Sequence, residues 1–102
     1  MGKYRLYYVY ILECSDNTYY TGVTNNISLR LSQHQNGKSK DSYTYSRRPL
    51  ELVYYAEFTD INIAIRKEKQ IKKWSKKKKE ALINDNYDLL PNLSKKNFKK
   101  DL

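Results

Sequence analysis

The chain has 102 residues, 20 of them Lys or Arg against 11 Asp or Glu, for a formal charge of +9. One domain of this size buries a real core and leaves no room for two. The charge excess selects polyanionic partners, nucleic acid foremost, while the single cysteine, Cys14, excludes an internal disulfide.

Lys3 and Arg5 precede an apolar run from Leu6 to Leu12, but Glu13 follows at once and no small-residue cleavage site appears. No stretch reaches transmembrane length, so the expectation is a soluble cytoplasmic protein with no membrane partner. Tyr4 to Cys14 carries apolar residues on both alternating faces, which suits a central strand covered on both sides. Cys14 reads as a small buried hydrophobe. Ser15-Asp16-Asn17 is turn chemistry, and Tyr19 to Val23 pairs back as the second arm of a hairpin. Thr24, Asn25 and Asn26 offer N-caps for a helix to about Asn36, where Gly37 suits the C′ position.

A polar, basic loop follows from Lys38 to Pro49, then a third strand from Leu50 to Phe58. Asp60 caps a helix whose Ile61, Ala64, Ile65, Glu68 and Ile71 follow the spacing of a buried stripe. A last helix begins at Lys76, and Trp74 reads as its core anchor. The order β-β-α-β-α-α predicts an α/β fold, a three-stranded antiparallel or mixed sheet with flanking helices. Residues 1–83 form the domain, and 84–102 form a basic tail packed on it or trailing from it.

Glu68 stands out. Nine of the fourteen residues from Arg66 to Lys79 are basic, and Glu68 is the one acid among them. A carboxylate on a buried stripe loses hydration, at a cost of several kcal/mol unless a cation or strong donors replace the water. It either pairs with a neighbouring Lys or Arg, or faces a pocket and binds a metal ion. Arg30 and His34 lie one turn apart on the first helix, flanked by Ile27 and Leu31. By itself His34 reads as a half-buried ring capping something, and Arg30 as a salt-bridge residue. Most of the eleven tyrosines are ordinary sheet packing, but position singles out Tyr10 and Tyr20, one in each strand of the predicted hairpin. Gly22 within a strand marks a close backbone approach or a bulge.

Tyr8-Val9-Tyr10 and Tyr20-Thr21-Gly22, in that order, resemble the two name-giving motifs of the GIY-YIG nuclease domain. The form is the small stand-alone one, similar to the N-terminal part of excinuclease C. The resemblance continues through Val23–Ile27, Arg30-Leu31, His34, Leu52–Tyr55 and Arg66–Ser75, and spans roughly Tyr4 to Ile83. It implies a metal-dependent DNA endonuclease with Tyr10, Tyr20, Arg30, His34 and Glu68 as catalytic residues. Glu68 would hold one Mg²⁺ or Mn²⁺ and Arg30 would clamp the scissile phosphate. Either tyrosine fits as general base, with Tyr10 favoured, and His34 would assist it or a phosphate contact. No small-molecule cofactor is implied.

The chain departs from the family pattern at Tyr8, which replaces a glycine, and at Val23, where some members carry a lysine. A C-terminal asparagine falls near Glu80, with Asn84 and Asn86 just beyond. Arg47, Arg48, Lys67, Lys69, Lys72, Lys73, Lys76 and Lys77 are expected to track phosphates, and Tyr43 and Tyr45 to stack on unpaired bases. The preferred substrate would be branched, nicked or single-stranded DNA, with RNA open as an alternative. Two rival readings are a non-catalytic nucleic-acid-binding module on a degenerate nuclease fold and an interaction domain of a repair complex.

Overall fold

The computed structural model describes residues 5–37 and 43–85. Tyr7–Glu13 forms β1, Tyr19–Thr24 forms β2 and Ile27–Gln35 forms α1. A short 3-10 turn at Tyr45–Arg47 leads to β3 (Glu51–Phe58), α2 (Ile61–Lys72) and α3 (Lys76–Asp85). The element order is the expected one. The sheet is antiparallel in both pairings and runs β2-β1-β3, so β1 is central.

The two-faced apolar pattern of β1 has a direct structural counterpart. Val9 and Ile11 point to one face, where they pack with Tyr54, with Ala64 and Ile71 of α2, and with Trp74, Leu82 and Ile83. Tyr10 and Leu12 point to the other, into a core with Cys14 and Leu50 that Ile27 and Leu31 of α1 cover. A register shift between Ile11 and Leu12 lets β3 place Tyr54 opposite Ile11 and Leu52 opposite Leu12. Two residues that strict alternation would put on one face thereby serve opposite cores.

Caps sit where the sequence puts them. The Asn26 side chain accepts the Leu29 N–H at 3.0 Å, and Asp60 accepts those of Asn62 at 2.8 Å and Ile63 at 3.4 Å. Gly37 takes φ +65° just past α1. The stripe of α2 is narrower than its spacing predicts: Ala64, Glu68 and Ile71 are buried, whereas Ile61 at the start of the helix is 37% exposed. Trp74 packs on the core as expected. Cys14 is buried just beyond β1, and desolvation pushes its thiol pKa up, which suits a packing role. Asn86 and the rest of the C-terminal tail lie outside the described residues, as do Lys38 to Ser42 of the basic loop.

One contact in the sheet has no slack. Tyr10 pairs with Gly22 of the edge strand β2, and its ring lies directly over that glycine. A Cβ at Gly22 would fall 2.5 Å from Tyr10 Cζ and closer still to the hydroxyl oxygen. Tyr10 is 1% exposed, so its ring has nowhere to swing. Gly22→Ala is therefore expected to destabilise the fold by about 1–3 kcal/mol, the range for overpacking a filled site. Urea unfolding reads this as a lower midpoint at unchanged slope; an unshifted midpoint would contradict the contact.

Candidate active site at the edge strand

The empty position at Gly22 lets the Tyr10 phenol reach from the central strand across β2. There its hydroxyl meets His34 Nε2 at 2.9 Å. The other ring nitrogen of His34, Nδ1, lies 2.9 Å from Thr44 Oγ1. With the Nδ1 proton donated to Thr44, Nε2 presents a lone pair to the Tyr10 O–H. The half-buried His34 also lies edge-on to Tyr20, with ring centres 5.1 Å apart, and Tyr10 and Tyr20 are separated by 6.2 Å.

The loop that carries Thr44 is fastened on several sides. Gln35 at the end of α1 donates from Nε2 to the Leu50 carbonyl at 2.7 Å and accepts the Leu50 N–H at 3.2 Å. Arg48 donates to the carbonyls of Tyr45 and Gln35, and Arg47 to the Tyr43 carbonyl and to Asp16 at 3.0 Å. These clips hold Thr44 fully buried beside His34.

Charge converges on the same hydroxyl. Burial and the neighbouring Tyr20 push the Tyr10 pKa well above the ordinary phenol range, while Arg30 opposes them by its charge and as a hydrogen-bond donor. The field of Glu68 also reaches Tyr10 and raises it further. Glu68 comes from the α2 side of the sheet and is 8% exposed. Its carboxylate Oε2 meets Lys72 Nζ one helical turn on, at 3.0 Å, so of the two expectations for Glu68 the lysine pair is present. Glu68 raises the Lys72 pKa, chiefly through that hydrogen bond.

Among the described residues no three His, Cys, Asp or Glu side chains cluster as a metal cage. A small hard cation that keeps most of its waters and binds substrate phosphate needs only one or two protein carboxylates. Glu68 fits that demand, with Lys72 as the cation it would have to release.

The remaining sequence candidates divide. Tyr43 joins the site, stacked against Tyr20 at 6.1 Å and covered by the Arg47 guanidinium at 3.9 Å. Tyr45 does not; its ring lies under Arg48, beside Gly37. Lys67 leans toward Trp74 and Lys76 toward Tyr19; Lys69 and Lys77 are exposed helix residues, and Lys73 is exposed in the turn that ends α2. Glu80 accepts a hydrogen bond from the Tyr19 hydroxyl at 3.4 Å, and Asn84 is exposed on α3. Sequence reasoning missed Thr44 entirely, since a threonine in a polar loop carries no signal of burial. The Glu68–Lys72 spacing was readable as an i,i+4 pair.

Desolvation, followed by the charge of Arg30, lowers the His34 pKa below its usual 6.5. The unfolded chain therefore binds this proton more readily than the folded one. The resulting stability is fully present above about pH 6.5 and is lost as pH falls from there toward the depressed folded value. His34 is the only histidine of the chain, so its ring-proton NMR titration is unambiguous. Its midpoint should lie below 6.5, and His34→Gln should remove that part of the pH dependence of stability. A midpoint at or above 6.5 would contradict the buried arrangement.

Comparisons with known proteins place the chain in a family. A family model described as the GIY-YIG catalytic domain matches residues 6–81. A UPF0213 protein of Syntrophus aciditrophicus is 49% identical over 79 residues, 78% of this chain and 91% of that one. One from Staphylococcus haemolyticus is 42% identical over 79 residues, 78% and 95% of the two chains. The solution structure of the UPF0213 protein of Bacillus halodurans superposes with a TM-score of 0.56 at 34% identity, covering 94% of this chain and 99% of that one. With the sheet order, the paired tyrosine motifs and the family match in agreement, this chain belongs to the GIY-YIG catalytic domain family.

Proposed function

We propose that the protein is a divalent-metal-dependent endonuclease that hydrolyses DNA phosphodiester bonds at the β2 edge. The observation that carries this reading is the Tyr10 hydroxyl, held against His34 at 2.9 Å and acted on by the charges of Arg30 and Glu68. Family membership implies endonuclease-type chemistry, and the charge of +9 supplies the attraction for a polyanion.

The exposure of its partner supports a functional reading of Glu68. Its partner Lys72 is 56% exposed at the side chain, and a pair with one end in water contributes at most about 1 kcal/mol. A pair that weak can give up its lysine when a harder cation reaches the carboxylate. A Mg²⁺ or Mn²⁺ ion on Glu68, when bound, supplies Lewis-acid stabilisation of charge on the phosphate and the leaving oxygen. Arg30 binds and orients the scissile phosphate.

Burial disfavours free phenolate at Tyr10, so almost none is present near pH 7 to act as a standing base. The His34 contact offers another route. As the attacking water gives its proton to the Tyr10 oxygen, the Tyr10 hydroxyl proton passes to Nε2 of neutral His34. Both protons are accounted for, and His34 is kept neutral near pH 7 by its surroundings.

The test is cleavage of labelled single-stranded, duplex and branched DNA with Mg²⁺ or Mn²⁺, by wild type and Glu68→Gln. Glu68→Gln should lose at least about a hundredfold in rate, the scale for deleting one preorganised electrostatic group. It should keep its fold and bind DNA as well or better, since a negative charge is gone. Equal cleavage by both proteins would overturn the reading. Binding without cleavage by either would leave a nucleic-acid-binding module. Unfolding of Glu68→Gln would make the Lys72 pair structural.

A further inference from the structure

A cleft of about 310 Å³ opens beside the site, lined by Tyr19, Tyr20, Thr21, Tyr43, Lys72 and Lys79. Two features of it lack a structural explanation in the free protein. Thr21 is 2% exposed, and its Oγ1 is buried without a hydrogen-bond partner among the described residues. Native folds rarely leave such a group unpaired without an occupant or a role. Lys79 of α3 is half-buried and makes no ion pair among the described residues. Lys72, the second cation of the cleft, is shared with Glu68 and would be released if that carboxylate took a metal ion. Desolvation and the charge of Lys72 lower the Lys79 pKa, the sign of a positive pocket with too little negative charge.

Resting on the nuclease reading above, we propose that this cleft is a subsite for a second backbone phosphate of the bound strand. Lys72 and Lys79 are its cations and the Thr21 hydroxyl is the donor at its floor. The chemistry matches a phosphodiester: two ammonium groups for its charge, and a hydroxyl donor for an oxygen they leave unsatisfied. The tyrosine walls suit the sugar and base beside it. The strand would then run along the β2 edge, with one phosphate at Arg30 and Glu68 and its neighbour between α2 and α3.

Thr21→Val separates this role from a packing role, because it removes an orphaned hydroxyl at nearly constant shape. Binding of a short single-stranded DNA is measured by fluorescence anisotropy against salt, with chelator present so that nothing is cut. Thr21→Val should be as stable as wild type or more so, yet bind about three- to tenfold more weakly, the worth of one hydrogen bond. Lys79→Ala should flatten the slope of log affinity against log salt by about 0.7, the increment for one phosphate contact on a single strand. Lys78→Ala, which removes the same charge from over Trp74, should leave the slope near that of wild type.

The proposal is overturned if Thr21→Val binds as wild type and Lys79→Ala matches Lys78→Ala. It is also overturned if inorganic phosphate alone saturates the Thr21 amide shift in NMR and DNA does not compete, which would mark a site for the free anion. A protein that cuts nothing yet shows these shifts keeps the subsite and loses the nuclease reading. A nuclease without them loses only the subsite.

Discussion

The close approach of Tyr10 to Gly22 is the constraint on which the rest of the site depends. Tyr10 belongs to the central strand, where a side chain would ordinarily end in the core, and its ring is buried accordingly. Because the edge strand presents no side chain at Gly22, the hydroxyl passes over β2 and emerges where α1 can answer it. His34 then needs a partner for its other nitrogen, and Thr44 supplies it only because Gln35, Arg47 and Arg48 fix the loop. A missing Cβ in one strand thus sets the position of a helix side chain and of a loop ten residues further on.

Around that hydroxyl the protein holds several polar groups out of contact with water. The Tyr10 and His34 pKa values are displaced in opposite directions, both of which keep the pair neutral. Glu68 is buried with a mostly exposed partner, and Thr21 is buried with none among the described residues. Their concentration at one edge of the sheet marks a candidate site, distinct from the apolar cores on either face. The basic surface has a different job. Most of the described lysines are exposed, and a field from exposed charges attracts polyanions without fixing a register.

Much of this was legible in the sequence, for identifiable reasons. The two-faced apolar run of β1, the caps at Asn26 and Asp60 and the glycine at position 37 are local signals, and local signals fixed the element order. Glu68 was conspicuous because a carboxylate on an apolar stripe violates a local rule. The resemblance to the GIY-YIG domain joined Tyr10, Tyr20, Arg30 and His34 before any contact between them was visible. Tertiary facts were not legible. Nothing local shows that Thr44 is buried, that Arg47 and Arg48 serve their own loop, or that Tyr45 turns away from the cleft while Tyr43 enters it. The shift that sends Leu52 and Tyr54 to opposite cores is likewise a property of strand pairing, and the exposure of Ile61 is equally a tertiary fact.

The central claim is that the Glu68 carboxylate and the Tyr10–His34 pair belong to one metal-binding site. Paramagnetic broadening by Mn²⁺, followed by NMR at substoichiometric ion, tests this without any need for activity. The account predicts that the His34 ring signal and the amides of Gly22 and Glu68 broaden first, and that Glu68→Gln abolishes the effect. Broadening centred elsewhere, on the Glu13 and Glu51 pair at the far end of the sheet for example, with the His34 signal left sharp, would contradict it.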